Sequence, residues 1–223
     1  MEEIGAHLAG AQRAVFLPFA LHDHDGYTSL VAERFAAHGV RVLGAHSMDD
    51  PAAAIGEADA IVVGGGNTFR LVAAMHRLGI IDAVRERAAH GVPYFGASAG
   101  TNVACPTIRT TNDMPIVQPP SLDAFALVPF QINPHYIDPP APEQRIGETR
   151  AERLAQFLEE NDVPVVGLRE QSWLAIADDT MTLRGTAGAV LFQRGSEPEE
   201  LRPGADLSRL LFIEPRFDVS GAA

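Results

Sequence analysis

Residues 92–100 read VPYFGASAG, where an apolar run gives way to a helix-like stretch. Ser98 lies between small residues at this junction, in the pattern of a nucleophile elbow. A serine on a sharp strand-to-helix turn needs neighbours without bulk, and the turn exposes its hydroxyl above a helix N-terminus. Turns of this kind also serve packing alone, so the assignment of Ser98 as a nucleophile depends on finding its partners elsewhere in the chain.

Upstream of Ser98, apolar runs alternate with helix-length segments. The runs at 14–17, 40–43 and 60–63 are typical of strands covered on both faces. The segments with helical patterning are 27–38, 51–57, 69–76 and 82–90. The alternation predicts an α/β fold with a mostly parallel central sheet flanked by helices, whose ligand sites lie at the carboxyl ends of the strands.

Downstream of Ser98 the pattern changes. The proline-rich stretch 107–142 excludes regular helix and predicts loop and edge strand. A helix is expected over 147–161. Short strands, which form an antiparallel extension on the C-terminal side, are expected at 163–168, 173–177, 181–183 and 189–193. We expect one domain over residues 1–223.

Composition limits the partners of the chain. Its 223 residues carry a formal net charge of −12, which repels nucleic acid and anionic membrane surfaces and favours small molecules. An acidic substrate would therefore need local cations at its site. A single cysteine, Cys105, excludes an internal disulfide, and there is no 18-residue apolar run and no basic leader. We expect a soluble cytoplasmic protein, with the choice between monomer and homodimer open.

A serine nucleophile needs a base, which is most often histidine. Of the eight histidines, only His135 follows Ser98, where a strand-like stretch runs into a proline-set turn. Two kinds of carboxylate could orient it. Asp113 and Asp123 would give the Ser-Asp-His order of α/β-hydrolases, whereas Glu170 directly follows an apolar strand and is favoured by that position.

The oxyanion of an acyl-transfer reaction needs two backbone N–H donors near the serine. Ala99, directly after the candidate nucleophile, supplies one. Glycines 64–66 follow a predicted strand, and such a turn can direct an amide at a ligand. A dinucleotide-binding loop is the rival interpretation, but its Gly-x-Gly-x-x-Gly spacing is not met because position 69 is phenylalanine.

Residues 22–25 read HDHD, which resembles a metal-ligand cluster. Two histidines one residue apart can share a metal, but further ligands are missing from this stretch. Histidines in a loop after a strand are more often solvated. We therefore predict no metal and no cofactor.

Six short motifs together resemble the peptidase E (α-aspartyl dipeptidase) family, the serine peptidase family that also contains cyanophycinase. They are GGGNTF at 64–69, SAG at 98–100, PTIRTTNDMP at 106–115, QINPHY at 131–136, GETR at 147–150 and GLRE at 167–170. The resemblance implies a cytoplasmic serine exopeptidase that hydrolyses dipeptides with an N-terminal aspartate. It also implies a fold like that of class I glutamine amidotransferases.

Carried over position by position, the resemblance makes Ser98 the nucleophile, His135 the base and Glu170 the acid that orients it. The amides of Gly66 and Ala99 form the oxyanion hole. The reaction it implies is attack of the serine on the carbonyl of the N-terminal aspartate, followed by hydrolysis of an aspartyl-enzyme.

Four further residues are candidates for substrate binding. An aspartate side chain requires a cation, and Arg109 and Arg150 both lie in motif-bearing loops, with Arg150 favoured. Asn67, in the motif of the glycine turn, is another candidate. Asp113 falls on a family aspartate whose role stays open between site organiser and partner of the substrate amine.

Other functions stay open beside the dipeptidase. A cyanophycinase-like hydrolase would cleave aspartyl-arginine polymers and would need acidic grooves for the arginine side chains. A non-catalytic relative of the same fold would bind a ligand without reacting, which labelling of Ser98 by a serine-directed reagent would distinguish. An α/β-hydrolase esterase is disfavoured because no histidine lies near the C-terminus.

Overall fold

The computed structural model describes residues 5, 7–8, 10–141 and 146–219. The chain forms two compact units. Unit 1 comprises Met1–Ile108 and Asp113–Leu127, and unit 2 comprises Arg109–Asn112 and Val128–Ala223. The single domain expected over residues 1–223 stays a prediction.

Unit 1 is built on four parallel strands. They are β1 (Arg13–Leu17), β2 (Arg41–Gly44), β3 (Ala60–Val63) and β4 (Tyr94–Gly96). The sheet order is β2-β1-β3-β4, so β1 and β3 are central. Both are buried almost throughout, and strands covered on two faces are continuously apolar for this reason.

Helices pack on both faces of this sheet. In the described part of unit 1 they are α1 (His24–Ala36), α2 (Pro51–Gly56), α3 (Thr68–Arg77), α4 (Ile80–Ala89) and α5 (Ala99–Ala104). Successive strand residues point to opposite faces, so Val15 and Leu17 pack with α2 to α5, whereas Ala14 and Phe16 pack with α1. The predicted α/β class, a parallel sheet flanked by helices, is confirmed.

Unit 2 contains a second sheet and a hairpin. Its strands are β5 (Gln131–Pro134), β6 (Val165–Leu168), β7 (Ser172–Ala177), β8 (Thr180–Gly185), β9 (Ala189–Phe192) and β10 (Glu199–Leu201). The sheet order is β10-β9-β6-β5, in which β5 and β6 are parallel and the other pairs antiparallel, and β7 pairs with β8. The antiparallel strands predicted on the C-terminal side are confirmed. The sequence did not predict β10, because its residues EEL form no apolar run.

Helix α6 (Arg150–Glu160) covers one face of the second sheet, with Leu154 and Leu158 packed beside Val165. It begins three residues after the predicted start because Thr149 and Glu152 form a capping box there. Residues 107–127 contain no helix and no strand beyond an isolated bridge, as their prolines predicted. Residue 142, the end of that proline-rich stretch, lies outside the described residues.

Among the described residues, no helix combines the length and the apolar character that crossing a bilayer requires.

Candidate active site

Ser98 lies on the turn between β4 and α5, as the sequence predicts. Its backbone has φ 56° and ψ −109°, a conformation that residues with a side chain rarely adopt. Such a residue persists only where its surroundings hold it, and the serine of a nucleophile elbow is held in this way. Ser98 is partly exposed, while Ala99, the first residue of α5, is buried.

Close packing around Ser98 explains the small residues beside it. A side chain at Gly96 would lie 2.5 Å from the carbonyl oxygen of Gly100, and one at Gly100 would overlap the carbonyl of Val63 in β3. The hydroxyl of Tyr94 donates to the Gly100 carbonyl at 2.6 Å. The turn is therefore tightly bound to the strands beneath it, which fixes the position of Ser98.

The amides of the glycine turn, residues 64–66, are not equivalent. The N–H of Gly64 donates to a carbonyl of β1 at 3.4 Å, and the N–H of Gly65 donates to the hydroxyl of Tyr27 at 2.7 Å. Among the described residues, the N–H of Gly66 has no acceptor. Gly66 has φ 130°, and a side chain there would lie 2.6 Å from the Ala20 carbonyl oxygen, so glycine is required.

The glycine turn packs directly against the serine. A side chain at Gly65 would lie 3.0 Å from Cβ and 3.5 Å from Oγ of Ser98. The N–H of Ala99, at the first position of α5, also has no acceptor in the described structure, because the first N–H groups of a helix lack intrahelical partners. Unit 1 thus carries a serine hydroxyl and, at Gly66 and Ala99, two N–H groups available to an oxyanion.

In unit 2, His135 and Glu170 lie at the carboxyl ends of neighbouring parallel strands. Strands β5 and β6 pair with Pro134 opposite Leu168, which brings the residues that follow each strand together. Nδ1 of His135 and Oε1 of Glu170 are hydrogen-bonded, and 47% and 73% of the two side chains are exposed. A carboxylate in this position orients an imidazole and leaves Nε2 for proton transfer.

Two asparagines hold the backbone that leads into His135. Nδ2 of Asn112 donates to the carbonyl of Pro134 at 2.8 Å. Nδ2 of Asn133 donates to the carbonyl of Thr110 at 2.8 Å and to Oδ1 of Asn112 at 2.9 Å. His135 itself has φ 55°, so this residue, like Ser98, is held in a conformation that is unfavourable without such support.

Arg169, which directly precedes Glu170, is hydrogen-bonded to the segment that follows His135 and to β10. Its guanidinium donates to both carboxylate oxygens of Asp138 at 2.7 and 2.8 Å and to both of Glu200 at 2.6 and 2.8 Å. These hydrogen bonds raise the pKa of Arg169 and lower the pKa values of Asp138 and Glu200. This network was not predicted from the sequence, because the residues of β10 lack the apolar pattern that indicates a strand.

Asp113 and Asn67 lie at the N-terminus of α3, beside the glycine turn. Oδ2 of Asp113 accepts from the N–H of Thr68 at 2.7 Å and from its hydroxyl at 2.6 Å. Oδ1 of Asn67 accepts from the N–H of Arg70, and Nδ2 donates to the carbonyl of Met114 at 2.9 Å. A carboxylate at a helix N-terminus is stabilised by the helix dipole. These contacts favour the organiser alternative for Asp113.

The two candidate arginines have different surroundings. Arg109 donates to both carboxylate oxygens of Asp218 at 2.7 and 3.1 Å, which lowers the pKa of that carboxyl. Arg109 also lies over the ring of Phe217, 5.3 Å from its centroid, so it anchors the C-terminal segment. Arg150, the first residue of α6, pairs with no carboxylate among the described residues. Partial burial and, secondarily, repulsion from Arg153 lower its pKa.

Side chains of the HDHD stretch make structural contacts within unit 1. Oδ1 of Asp23 accepts from the N–H of Gly26 at 2.9 Å and caps α1, and Asp25 pairs with His46 at 2.9 Å. Burial, followed by the proximity of His46, lowers the pKa of His24. The described ranges contain no group of three or more His, Cys, Asp or Glu side chains placed to hold a metal ion.

Unit 1 carries a strained serine beside two available N–H groups, and unit 2 carries an imidazole hydrogen-bonded to a carboxylate. Serine hydrolases use groups of these kinds. A family model described as peptidase family S51 matches residues 1–184. The chain belongs to peptidase family S51. This confirms the resemblance and the predicted peptidase class.

Two relatives agree with this assignment, and a solved structure shares the fold. Peptidase E of Streptomyces coelicolor is 52% identical over 218 residues, which cover 98% of this chain and 90% of that protein. A Drosophila melanogaster protein named "Probable alpha-aspartyl dipeptidase" is 47% identical over 204 residues, which cover 91% of this chain and 85% of that protein. The crystal structure of a peptidase from an acI-B1 Actinobacterium matches with a TM-score of 0.67 at 15% identity, over 92% of this chain and 89% of that one, and supports the fold.

Proposed function

We propose that this chain is a serine dipeptidase that hydrolyses dipeptides with an N-terminal aspartate through Ser98, His135 and Glu170. The observation that carries the proposal is the contact between the imidazole of His135 and the carboxylate of Glu170. These residues are 35 positions apart, and their contact gives the arrangement that general-base activation of a serine requires. The name of the Drosophila relative, "Probable alpha-aspartyl dipeptidase", supports an aspartyl dipeptide as the substrate.

In the proposed reaction, Oγ of Ser98 attacks the carbonyl carbon of the aspartyl residue while His135 accepts the hydroxyl proton. The N–H groups of Gly66 and Ala99 stabilise the oxyanion of the tetrahedral intermediate. The protonated imidazole then donates to the leaving nitrogen, the C–N bond breaks and the second amino acid departs. Water deprotonated by His135 attacks the aspartyl ester, releasing aspartate and restoring the serine.

We further propose that Arg150 binds the side-chain carboxylate of the substrate. A protein of formal net charge −12 repels an acidic ligand at a distance, so recognition requires a local cation. Arg109 already binds Asp218, whereas Arg150 has no carboxylate partner among the described residues. Asp113 and Asn67 contribute by organising the start of α3, next to the glycine turn.

Replacement of Arg150 by methionine is expected to lower kcat/KM for Asp-Leu by about 100-fold, because the substrate carboxylate loses its charge partner. The discrimination between Asp-Leu and Asn-Leu should shrink by the same factor. Steady-state kinetics with both dipeptides measure the effect. Arg109→Met is the matched control, for which a lower Tm and an unchanged Asp-to-Asn preference are expected. Unchanged discrimination in Arg150→Met would show that another residue binds the side chain.

A substrate panel tests the proposed function itself. Release of free amino acids is measured with Asp-Leu, Asn-Leu, Leu-Asp and an aspartyl-arginine polymer, and hydrolysis of Asp-Leu alone is expected. Turnover of the polymer without turnover of Asp-Leu would instead indicate a cyanophycinase-like hydrolase. Failure to hydrolyse any of them, together with no labelling of Ser98 by a fluorophosphonate, would indicate a non-catalytic relative.

The proposal extends to partners and location. We infer that small peptides are the ligands and that nucleic acid and membrane surfaces are not, because the strongly negative charge opposes both. A cytoplasmic location fits the lone, buried Cys105.

A further inference from the structure

Tyr27, in α1, contacts the glycine turn through its hydroxyl group. This oxygen accepts the N–H of Gly65 at 2.7 Å, and a side chain at Gly64 would lie 2.5 Å from it. We propose that Tyr27 is a positioning residue for the oxyanion hole, which it controls through the backbone of Gly65. The inference rests on the proposed function, because it assigns a role in the same reaction.

The hydrogen bonds of the turn single out one amide for the substrate. The N–H groups of Gly64 and Asn67 donate to backbone carbonyls at 3.4 and 2.9 Å. The N–H of Gly65 donates to Tyr27. Within residues 64–67 only Gly66 keeps an N–H without an acceptor among the described residues. In the described part of the chain, Tyr27 is the one side chain that accepts a hydrogen bond from this turn.

Three consecutive glycines need such an external acceptor. Glycine has the greatest backbone freedom, so a turn built from it is poorly fixed unless its amides are bound. An oxyanion hole is effective because its donors are already aimed when charge develops on the substrate. A hydrogen bond to the N–H of Gly65 fixes the peptide unit between Gly64 and Gly65. This unit directly precedes the one that carries the Gly66 N–H, so fixing it restricts the directions in which the Gly66 N–H can point.

The ring of Tyr27 is itself held in place. It meets the ring of Phe16 edge to face, with centroids 5.0 Å apart and planes at 85°. Phe16 is a fully buried residue of β1, one of the two central strands of the sheet. The hydroxyl of Tyr27 is therefore a rigid acceptor. Since a side chain at Gly65 would lie only 3.0 Å from Cβ of Ser98, a shift of this turn changes its position relative to the nucleophile.

Replacement of Tyr27 by phenylalanine tests the proposal, because it removes one oxygen and leaves the packed ring. We expect kcat for Asp-Leu to fall about tenfold, less than the ~10²- to 10³-fold loss for deletion of an oxyanion donor. KM should change little. An aspartyl aldehyde, which forms a tetrahedral adduct with the serine, should bind more weakly by the same factor, whereas the affinity for the product aspartate should stay the same.

Thr28→Val is the matched control, because it removes the next hydroxyl of α1, which donates to the carbonyl of His24 at 2.8 Å. This variant should keep the wild-type kcat. The amide resonance of Gly65 supplies a readout besides activity, and it should shift and exchange faster in Tyr27→Phe than in Thr28→Val.

Two results would overturn the inference while leaving the proposed function intact. One is an active wild type for which Tyr27→Phe keeps both kcat and the aldehyde affinity. The other is an equal loss of kcat in Tyr27→Phe and Thr28→Val, which would indicate a general disturbance of α1. A wild type that does not hydrolyse Asp-Leu would overturn the proposed function and this inference with it.

Discussion

Replacement of Ser98 by alanine is expected to lower kcat/KM for Asp-Leu by about 10⁴- to 10⁶-fold, because the change removes the nucleophile. The residual rate would come from substrate binding and the amides of Gly66 and Ala99, which alanine leaves in place. Steady-state kinetics on the purified variant measure the loss. Alanine must adopt the same backbone at φ 56°, so Tm is measured alongside to show that the turn still folds.

Ser29→Ala is the matched control for this change. Ser29 is an exposed serine of α1 whose hydroxyl donates to the carbonyl of Asp25, so its loss leaves the turn at Ser98 untouched. A fluorophosphonate should label the wild type and Ser29→Ala but not Ser98→Ala. Hydrolysis of Asp-Leu by Ser98→Ala at close to the wild-type rate would remove the basis of the proposed mechanism.

Replacement of Glu170 by glutamine is expected to lower kcat by about 10³-fold, since the neutral amide neither stabilises the imidazolium nor fixes its tautomer. The loss should be smaller than the ~10⁴-fold effect for a buried carboxylate. The Glu170 side chain is 73% exposed, so water partly screens its charge from the imidazolium. The measurement is kcat as a function of pH for wild type and variant. Glutamine keeps the length of the side chain, so KM should change little.

Asp113→Asn and Asp123→Asn compare the other two carboxylates that the sequence left open. Asp123 is exposed in a loop of unit 1, and its replacement should leave kcat unchanged. Asp113 accepts two hydrogen bonds from Thr68, and its replacement should lower Tm and reduce kcat less than Glu170→Gln does. A larger loss of kcat in either aspartate variant than in Glu170→Gln would assign the third catalytic position to that aspartate.

The local patterns of the sequence predicted the elements well, because each element depends on residues close to it in the chain. The run at 60–63 became β3 with the predicted bounds. The helix predicted from residue 27 begins instead at His24, because Asp23 caps it there. The HDHD pattern favours a loop, and for this reason the first turn of the helix was not predicted. The turn at Ser98 was predictable for the same local reason, since its small neighbours are adjacent in sequence.

The partners of the site residues were less predictable from the sequence. Its motifs indicated His135 and Glu170 and favoured Arg150 over Arg109, but only the structure gave Arg109 a partner in Asp218. Nothing in the sequence indicated the contact of Tyr27 with Gly65, because the two residues are 38 positions apart and no single motif contains both.

The sequence by itself determined most of the strands and helices and the turn that carries the serine, because side-chain periodicity and capping act over a few residues. Only the tertiary structure decided which distant groups meet. The register of β5 and β6 places the imidazole of His135 against the carboxylate of Glu170, and the packing of α1 brings a hydroxyl to the glycine turn. Such contacts depend on which strands and helices become neighbours, which short-range patterns do not encode.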